Sequence, residues 1–444
     1  MYLCFQICEN NRFLIRISQI MKNTRREFIL KSAMGTGLLA GGLSSCQSGP
    51  EVSGEVLNSK YNKLDKVLSR PVLKSDLFPD PVIIETLELL RYENNFICRV
   101  RSTDGAEGIS VGNNAQLLSL YPIFINRLQP FFKGKDARKL EQVLDEVYVY
   151  KSNYKVQNLA LWVPLATIEF AILDMLGKIA GKSIGELIGE IHNSRVAVYR
   201  ANNYRGKTAL ESIEKIKQNV EETRAKAVKF KVGGRMSKDA DYPPGRTEEL
   251  IPMVRETFGE DMVIYADSNG SYSAKEAIRI GKIMEAHHFD FYEEPVPFDW
   301  YEETKQVANA LDVPIAGGEQ EPSMHQFRWL IANDALDIVQ PDMFYFGGMI
   351  RSMKVARMAE VFDKPCVPHI SGSGLGYLYM MHFVSAVPNA GLYHEFKGFN
   401  REIPAECKTS SLESEEGVVK VPTGPGMGLE IDPDYISKHT LVRA

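Results

Sequence analysis

Three carboxylates stand 26 residues apart in the middle of the chain: Asp267, Glu293 and Glu319. Each closes a short apolar run, Met262–Asp267, Phe289–Glu293 and Val313–Glu319. A strand, a loop and a helix together use roughly 20 to 30 residues, so the spacing reads as one βα unit repeated. Neighbouring parallel strands of a barrel lie side by side, and acids at their C-terminal ends converge. Converging carboxylates repel one another unless a cation neutralises them. Oxygen-only ligands select a hard ion, Mg²⁺ first and Mn²⁺ as the alternative. Three unrelated solvated acids would show no common spacing.

The same rhythm continues on both sides. Apolar runs that read as strands lie near 196–200, 227–232, 262–267, 289–293, 314–317, 337–341, 365–368 and 392–395. Helical stretches separate them, among them Leu210–Arg224, Ala274–Glu285 and Met349–Phe362. No antiparallel hairpin signal interrupts the series, which points to a parallel barrel over 191–396. Upstream, Val82 to Ser110 alternates apolar and polar residues around a turn at Asp104-Gly105, as a meander does. Ala160 to Leu176 is apolar on several faces and reads as a buried helix. An α+β domain over 76–190 is implied. Residues 397–444 turn polar, and Gly417–Glu430 is expected to pack back on that first domain. Residues 47–75 lack a core pattern and read as a tether.

Residues 1–46 carry an address. Thr24–Lys31, with Arg25 and Arg26, resembles a twin-arginine export signal, and Met21 reads as its start. The weakly apolar Ala33–Ser45 is too short for a permanent membrane span. Leu43–Cys46 resembles a lipobox, so a lipid on Cys46 is the expected membrane attachment. The expected destination is then the periplasm, free or as a membrane-anchored lipoprotein. A net charge of −5 argues against a nucleic-acid surface. The six cysteines, Cys4, Cys8, Cys46, Cys98, Cys366 and Cys407, show neither zinc-ligand spacing nor a disulfide framework.

Chemistry accumulates at the other strand ends. Lys229 and Lys231 are two apart and face one side of their strand, the barrel interior. Adjacent ammonium groups depress each other's pKa, so one of the two can act as a neutral base. Asp342 and His369 are 27 residues apart, again one unit, and an Asp beside a His orients the ring and raises its basicity. Glu395 lies 26 beyond His369 and would donate to an oxyanion if protonated. With a cation between them, an amine and an imidazole suit removal of a proton α to a carboxylate. Strand alternation turns Glu294 away from the metal site and leaves Glu293 as the ligand.

These pieces resemble the mandelate racemase and muconate lactonizing enzyme family of the enolase superfamily. The resemblance rests on Lys229-Phe-Lys231, Asp267-Ser-Asn269, Glu293-Glu-Pro295, Gly318-Glu319, Pro341-Asp342 with Gly347-Gly348, and Pro368-His369. Asp174–Lys178 and Pro422–Gly428 extend it, so that it covers about residues 80–432. It implies a (β/α)7β TIM-like barrel under an α+β enolase-type capping domain. It also implies Mg²⁺ on Asp267, Glu293 and Glu319, Lys231 as one acid/base, and His369 with Asp342 as the other. Family members are often symmetric oligomers, which makes a homo-oligomer an expectation.

Two departures bear on substrate choice. Tyr345 stands where members often carry Lys or Arg, and the loop Gly233–Gly245 is long. Tyr345 and Asn269 are candidate substrate contacts, as are the loops Thr103–Gly108 and Gly233–Gly245. An intact Lys and His–Asp set occurs in acid-sugar dehydratases and in racemases of the family. The stretch His369–Gly376 looks like those of sugar-acid members. Dehydration of an acid sugar to a 2-keto-3-deoxy acid is the first expectation. Racemisation, epimerisation or cycloisomerisation is the second. A Schiff-base aldolase and a non-catalytic binding lipoprotein are the distant alternatives.

Overall fold

The computed structural model describes residues 54–205, 207–372, 374–399 and 402–443. The expected export signal and lipobox therefore lie outside the described residues.

Strand β1 (Ile84–Tyr92), β2 (Asn95–Ser102) and β3 (Glu107–Val111) form the expected antiparallel meander. The returning C-terminus adds Thr440–Leu441 to the free edge of β1. Against this sheet lies the helix Leu159–Ala180, buried along nearly its whole length. By length and composition it could cross a membrane, but here it is a core helix of the folded unit.

The barrel staves begin with β4 (Arg195–Tyr199) and β5 (Ala201–Asn202), one stave broken at Arg200. They continue as β6 (Ala227–Lys231), β7 (Val263–Asp267), β8 (Phe291–Glu293), β9 (Ile315–Gly317) and β10 (Ile338–Val339). The seventh stave, near Cys366–His369, is held by parallel bridges Val339↔Cys366 and Asp342↔His369. The eighth, β11 (His394–Glu395), pairs in parallel with β4, the lower piece of the first stave. Among the described residues, seven helices separate the eight staves, the (β/α)7β order.

Alternation along the staves sorts two layers. Val228, Phe230, Ile264, Ala266, Tyr292 and Ile315 pack outward against the helices. Tyr199, Ala201, Ala227, Tyr265, Phe291, Ala316, Ile338 and Val367 fill the bore. Tyr265 stacks on Phe291 at 3.7 Å between ring centroids. Residues two further on, with the same inward aim, stand at the mouth. That is why Lys229, Lys231, Asp267 and Glu293 converge there.

Two expectations need correction. Residues 54–75 are not a free tether, because Gly54–Leu68 is a helix. Its residues Leu57, Tyr61, Leu64 and Leu68 recur at helical spacing and make one apolar stripe. Leu64 and Val67 are buried, Lys60 donates to the Ala332 carbonyl at 3.1 Å, and Arg328 pairs with Asp65 at 2.6 Å. The stripe is narrow and its polar neighbours outnumber it, so the periodicity is faint in sequence.

The second correction concerns the C-terminal segment. It does not pack on the cap alone, since Val418–Lys420 pairs antiparallel with β4. Ser414–Glu415 completes a hairpin there. The hairpin occupies the lower edge of the first stave, and only the upper piece β5 reaches β6. Further along, Gly426 and Met427 do meet the cap: the Gly426 N–H donates to the Lys182 carbonyl, and the Met427 N–H to Asp174. This antiparallel hairpin touches the barrel from outside the βα series of 191–396.

Cap and barrel also share a buried acid. Glu169, inside the long cap helix, accepts from the N–H groups of Met349 and Ile350 at 2.5 and 3.1 Å. Those are the first N–H groups of the helix Met349–Glu360, which otherwise lack partners. Gly348 precedes them at φ +114°, and a Cβ there would lie 2.3 Å from the Glu169 carboxylate. Burial pushes Glu169 up to about 8 despite those two donors, and its Oε2 has no hydrogen-bond partner among the described residues. An acid raised on folding binds its proton more tightly in the native state. Its contribution to stability is complete below the ordinary carboxylate range and is lost as pH rises through about 8. Melting temperature is thus expected to fall between pH 5 and 8, and Glu169→Gln to flatten that slope. A variant with an unchanged slope would contradict this.

Candidate active site

The three spaced acids meet. One carboxylate oxygen from each of Asp267, Glu293 and Glu319 lies within 4.8 Å of the others, and all three side chains are buried. The register explains it, because Lys231, Asp267 and Glu293 are direct Cα partners across β6, β7 and β8. Glu319 arrives two residues beyond β9, past Gly318 at φ +110°. A Cβ on Gly318 would lie 2.5 Å from the Phe327 ring, so only glycine allows that approach.

The donor set is oxygen only. Burial and the repulsion of Asp267 and Glu319 push Glu293 up to about 7, with Lys229 opposing. A buried acid cluster in which Glu293 resists ionisation suits a hard divalent cation, which would relieve that repulsion. The residues present fit such an ion.

The lysines behave differently from the sequence-based expectation. Lys229 donates to both oxygens of Glu293 at 2.8 and 2.9 Å and pairs with Glu395 at 3.2 Å. Burial works against its charge, but these carboxylates outweigh burial and hold the ammonium well above its usual range. The expectation of mutual depression fails for Lys229, because carboxylates surround it more closely than a second cation can counter. Lys229 is a counter-ion for the acid cluster. Lys231 ion-pairs with Asp267 at one end of the triad. Burial opposes the charge on Asp267 too, yet Lys231 and Lys229 hold it well below the usual carboxylate range.

His369 stands at the other end. Its Nδ1 lies 2.6 Å from Asp342 Oδ2, and its Nε2 lies 3.4 Å from Glu319 Oε2. Asp342 also accepts from the N–H groups of Phe344 and Tyr345, each at 2.7 Å, and from Ser371 N at 2.5 Å and Oγ at 3.0 Å. So many donors fix its carboxylate and, through it, the ring tautomer that presents Nε2 to the bore. Burial lowers the imidazole pKa, but Glu319 and Asp342 more than offset it and raise it to about 10.

Glu395 reaches the mouth as expected, but not as a proton donor. It sits between Lys229 and Lys397, the latter at 2.5 Å, and accepts from Tyr377 Oη at 3.3 Å. Burial is outweighed by these cations, which hold it well below the usual carboxylate range. The donor role was conditional on a protonated carboxyl, a form these cations disfavour.

Glu294 is corrected as well. Strand alternation ends at Glu293, and Glu294 has φ +42°. Its buried carboxylate turns back and accepts from Asn269 Nδ2 at 3.3 Å.

Asn269 is tied to the site directly, with its N–H donating to Asp267 Oδ1 at 2.8 Å. Tyr345 faces Ser371 and Gln116 with its hydroxyl. The cap reaches the mouth through Gln116 and through Asn113, which donates to the Ser371 carbonyl at 2.9 Å. The loop Thr103–Gly108 is anchored by bonds to Ser102 and Ile83, and Thr103–Gly105 is exposed.

Sequence reasoning missed several partners. Gln340 donates to Glu293 Oε2 at 2.9 Å and Gln320 to Glu319 Oε1 at 3.0 Å. Gln340 stands two residues before Asp342 and was within reach of the alternation argument. Arg205 and Arg235 also come in, both bonded to Asn269 Oδ1. They sit on loops and carry no motif.

A capped parallel barrel with this mouth belongs to enzymes that do acid–base chemistry beside a hard cation. Residues 211–435 match the family model described as enolase C-terminal domain-like, and the chain belongs to that family, among the mandelate racemase and muconate lactonizing enzyme relatives. Arabinonate dehydratase of Saccharolobus solfataricus is 28% identical over 304 residues, 68% of this chain and 79% of the relative. The crystal structure of 3,6-anhydro-D-galactonate cycloisomerase from Zobellia galactanivorans superposes with a TM-score of 0.67 at 26% identity, covering 82% of this chain and 100% of that one. A mandelate racemase/muconate lactonizing protein of Paracoccus denitrificans, complexed with magnesium, shares the fold. Its TM-score is 0.72 at 24% identity, over 82% of this chain and 99% of that one.

Proposed function

We propose that this protein removes the proton α to the carboxylate of an acid sugar and dehydrates it to a 2-keto-3-deoxy acid, with Mg²⁺ as the ion. The observation that carries the reading is the placement of Lys231 and the His369–Asp342 pair at opposite ends of the acid triad. Asp267, Glu293 and Glu319 would hold the ion. Bound there, Mg²⁺ supplies Lewis acidity toward the substrate carboxylate and the negative charge that grows on it.

The chain's own groups supply the rest. Either Lys231 or His369 takes the α-proton, and the other returns a proton to the departing β-hydroxyl. Asp342 keeps the imidazole aimed and supports its positive form. Lys229 and Gln340 fix Glu293, and Gln320 fixes Glu319, so the acids need no reorganisation when substrate arrives. The Schiff-base alternative would rest on Lys231, and an amine ion-paired with Asp267 inside an acid cluster suits it poorly.

Cycloisomerisation is the second reading, supported by the Zobellia relative, since it begins with loss of the same proton. Incubation of the Mg²⁺-loaded protein with aldonic and aldaric acids separates the two. The expected outcome is a semicarbazide-positive keto product. Deuterium at the α-carbon with no keto product would favour isomerisation, and neither signal from any acid would defeat both readings.

A further inference from the structure

Among the described residues, two cations at the mouth form no ion pair, although Asp267 lies in the field of one of them, Arg205. Arg205, on the loop after β5, donates through Nη2 to Asn269 Oδ1 at 2.9 Å. Arg235, on the loop after β6, donates through Nη2 to the same oxygen at 3.3 Å. One neutral amide oxygen thus serves two guanidinium groups. Among the described residues neither guanidinium has a carboxylate within ion-pair contact. The remaining hydrogen bond of Arg205 goes to the Gly233 carbonyl at 3.2 Å. Like charges brought together on one acceptor gain little unless an anion completes the site.

The arrangement is built rather than casual. The loop bearing Arg235 docks on the end of the third stave through Met236 N to the Asn269 carbonyl at 3.0 Å. Asp239 N to the Ser271 carbonyl at 2.9 Å holds it again. Arg235, Met236, Lys238 and Asp239 all have positive φ, a conformation such residues adopt only when held there. Buried Arg246 secures the base of both loops, donating to the carbonyls of Lys231 and Tyr204 at 2.9 and 3.0 Å. Asn269 is oriented by the same network. Its Nδ2 faces Asp267 and Glu294 while its Oδ1 faces the arginines. The pair therefore lies one amide group away from a metal-site carboxylate.

We propose that Arg205 and Arg235 form the subsite for a second carboxylate of the substrate, so that the acid sugar is a dicarboxylic (aldaric) acid. The inference rests on the acid-sugar reading above and deepens it. One carboxylate goes to the ion site, and the distal one meets two planar guanidinium forks that match its two oxygens. An exposed lysine pair would not offer that geometry.

The test compares galactarate and glucarate with galactonate and gluconate on the Mg²⁺-loaded full chain. Wild type is expected to favour the diacids by about tenfold or more in kcat/KM. Arg205→Gln and Arg235→Gln are each expected to lower diacid kcat/KM by about ten- to a hundredfold, chiefly through KM. Their loss on the monoacids is expected to be at least about tenfold smaller. Equal losses on both classes, or a wild-type preference for monoacids, would overturn the proposal.

Calorimetric binding of the same four acids to the Mg²⁺-loaded Lys231→Met protein reads the subsite apart from turnover. Tighter diacid binding that Arg235→Gln removes in that background supports the subsite even if no acid is turned over by wild type. Equal binding of diacids and monoacids overturns it even if dehydration is observed.

Discussion

Glu319→Gln is expected to lower turnover by about a thousandfold or more and to weaken Mg²⁺ binding, while the protein stays folded. The substitution keeps the shape and removes one of three charges that face the ion site. A bound divalent ion contributes several kcal/mol to stabilising charge in the transition state, and each 1.36 kcal/mol is a factor of ten. Losing most of that contribution accounts for a thousandfold. The fold should survive for a local reason. Glu319 Oε1 accepts from Gln320 at 3.0 Å, an oxygen that a glutamine amide also provides. Removing one of three mutually repelling acids also relieves the ion-free protein, so its melting temperature should hold or rise. Titration calorimetry with Mg²⁺ and a thermal melt check both halves. Unchanged ion affinity with turnover intact would remove Glu319 from the site.

Much of this site was legible because staves impose a fixed register. Asp267, Glu293, Glu319, Asp342 and His369 recur once per βα unit, and inward alternation then leaves them one common place to go. The same regularity placed the eight strands and identified the buried helix Leu159–Ala180. Where regularity ends, so did the reading. Glu294 follows the last residue of β8, takes a positive φ and turns back toward Asn269, which alternation does not describe.

Charge states were less legible than positions. Lys229 and Glu395 were located correctly, but spacing says nothing of how many opposite charges surround a group. Each lies in the other's field, so the lysine is held charged and the glutamate ionised. Arg205 and Arg235 were invisible because loop paths follow from docking contacts such as Met236 to Asn269, not from periodicity. The helix Gly54–Leu68 was missed because its apolar stripe is narrow and becomes informative only against the barrel surface that covers it.

Lys231→Met and His369→Asn are each expected to reduce turnover by about 10²- to 10⁴-fold, the range supplied by a positioned acid or base. Neither change should unfold the protein, for different reasons. Methionine fills the volume of the lysine stem, though it leaves Asp267 with one cation fewer. Asparagine at 369 can still donate to Asp342, whose other donors come from Phe344, Tyr345 and Ser371. The two losses should not be equivalent, because the groups act on different bonds. The one that removes the α-proton is required for exchange and for dehydration, whereas its counterpart is required for departure of the hydroxyl alone.

Exchange of the substrate α-proton with solvent deuterium, followed by NMR on the Mg²⁺-loaded proteins, tests this division of labour most directly. The account predicts that one of the two single variants keeps α-exchange while losing keto-acid formation, and that the other loses both. It also predicts that the protein carrying Lys231→Met together with His369→Asn exchanges no faster than buffer. Exchange at the wild-type rate in that double variant would contradict the assignment of Lys231 and His369 as the acid and base.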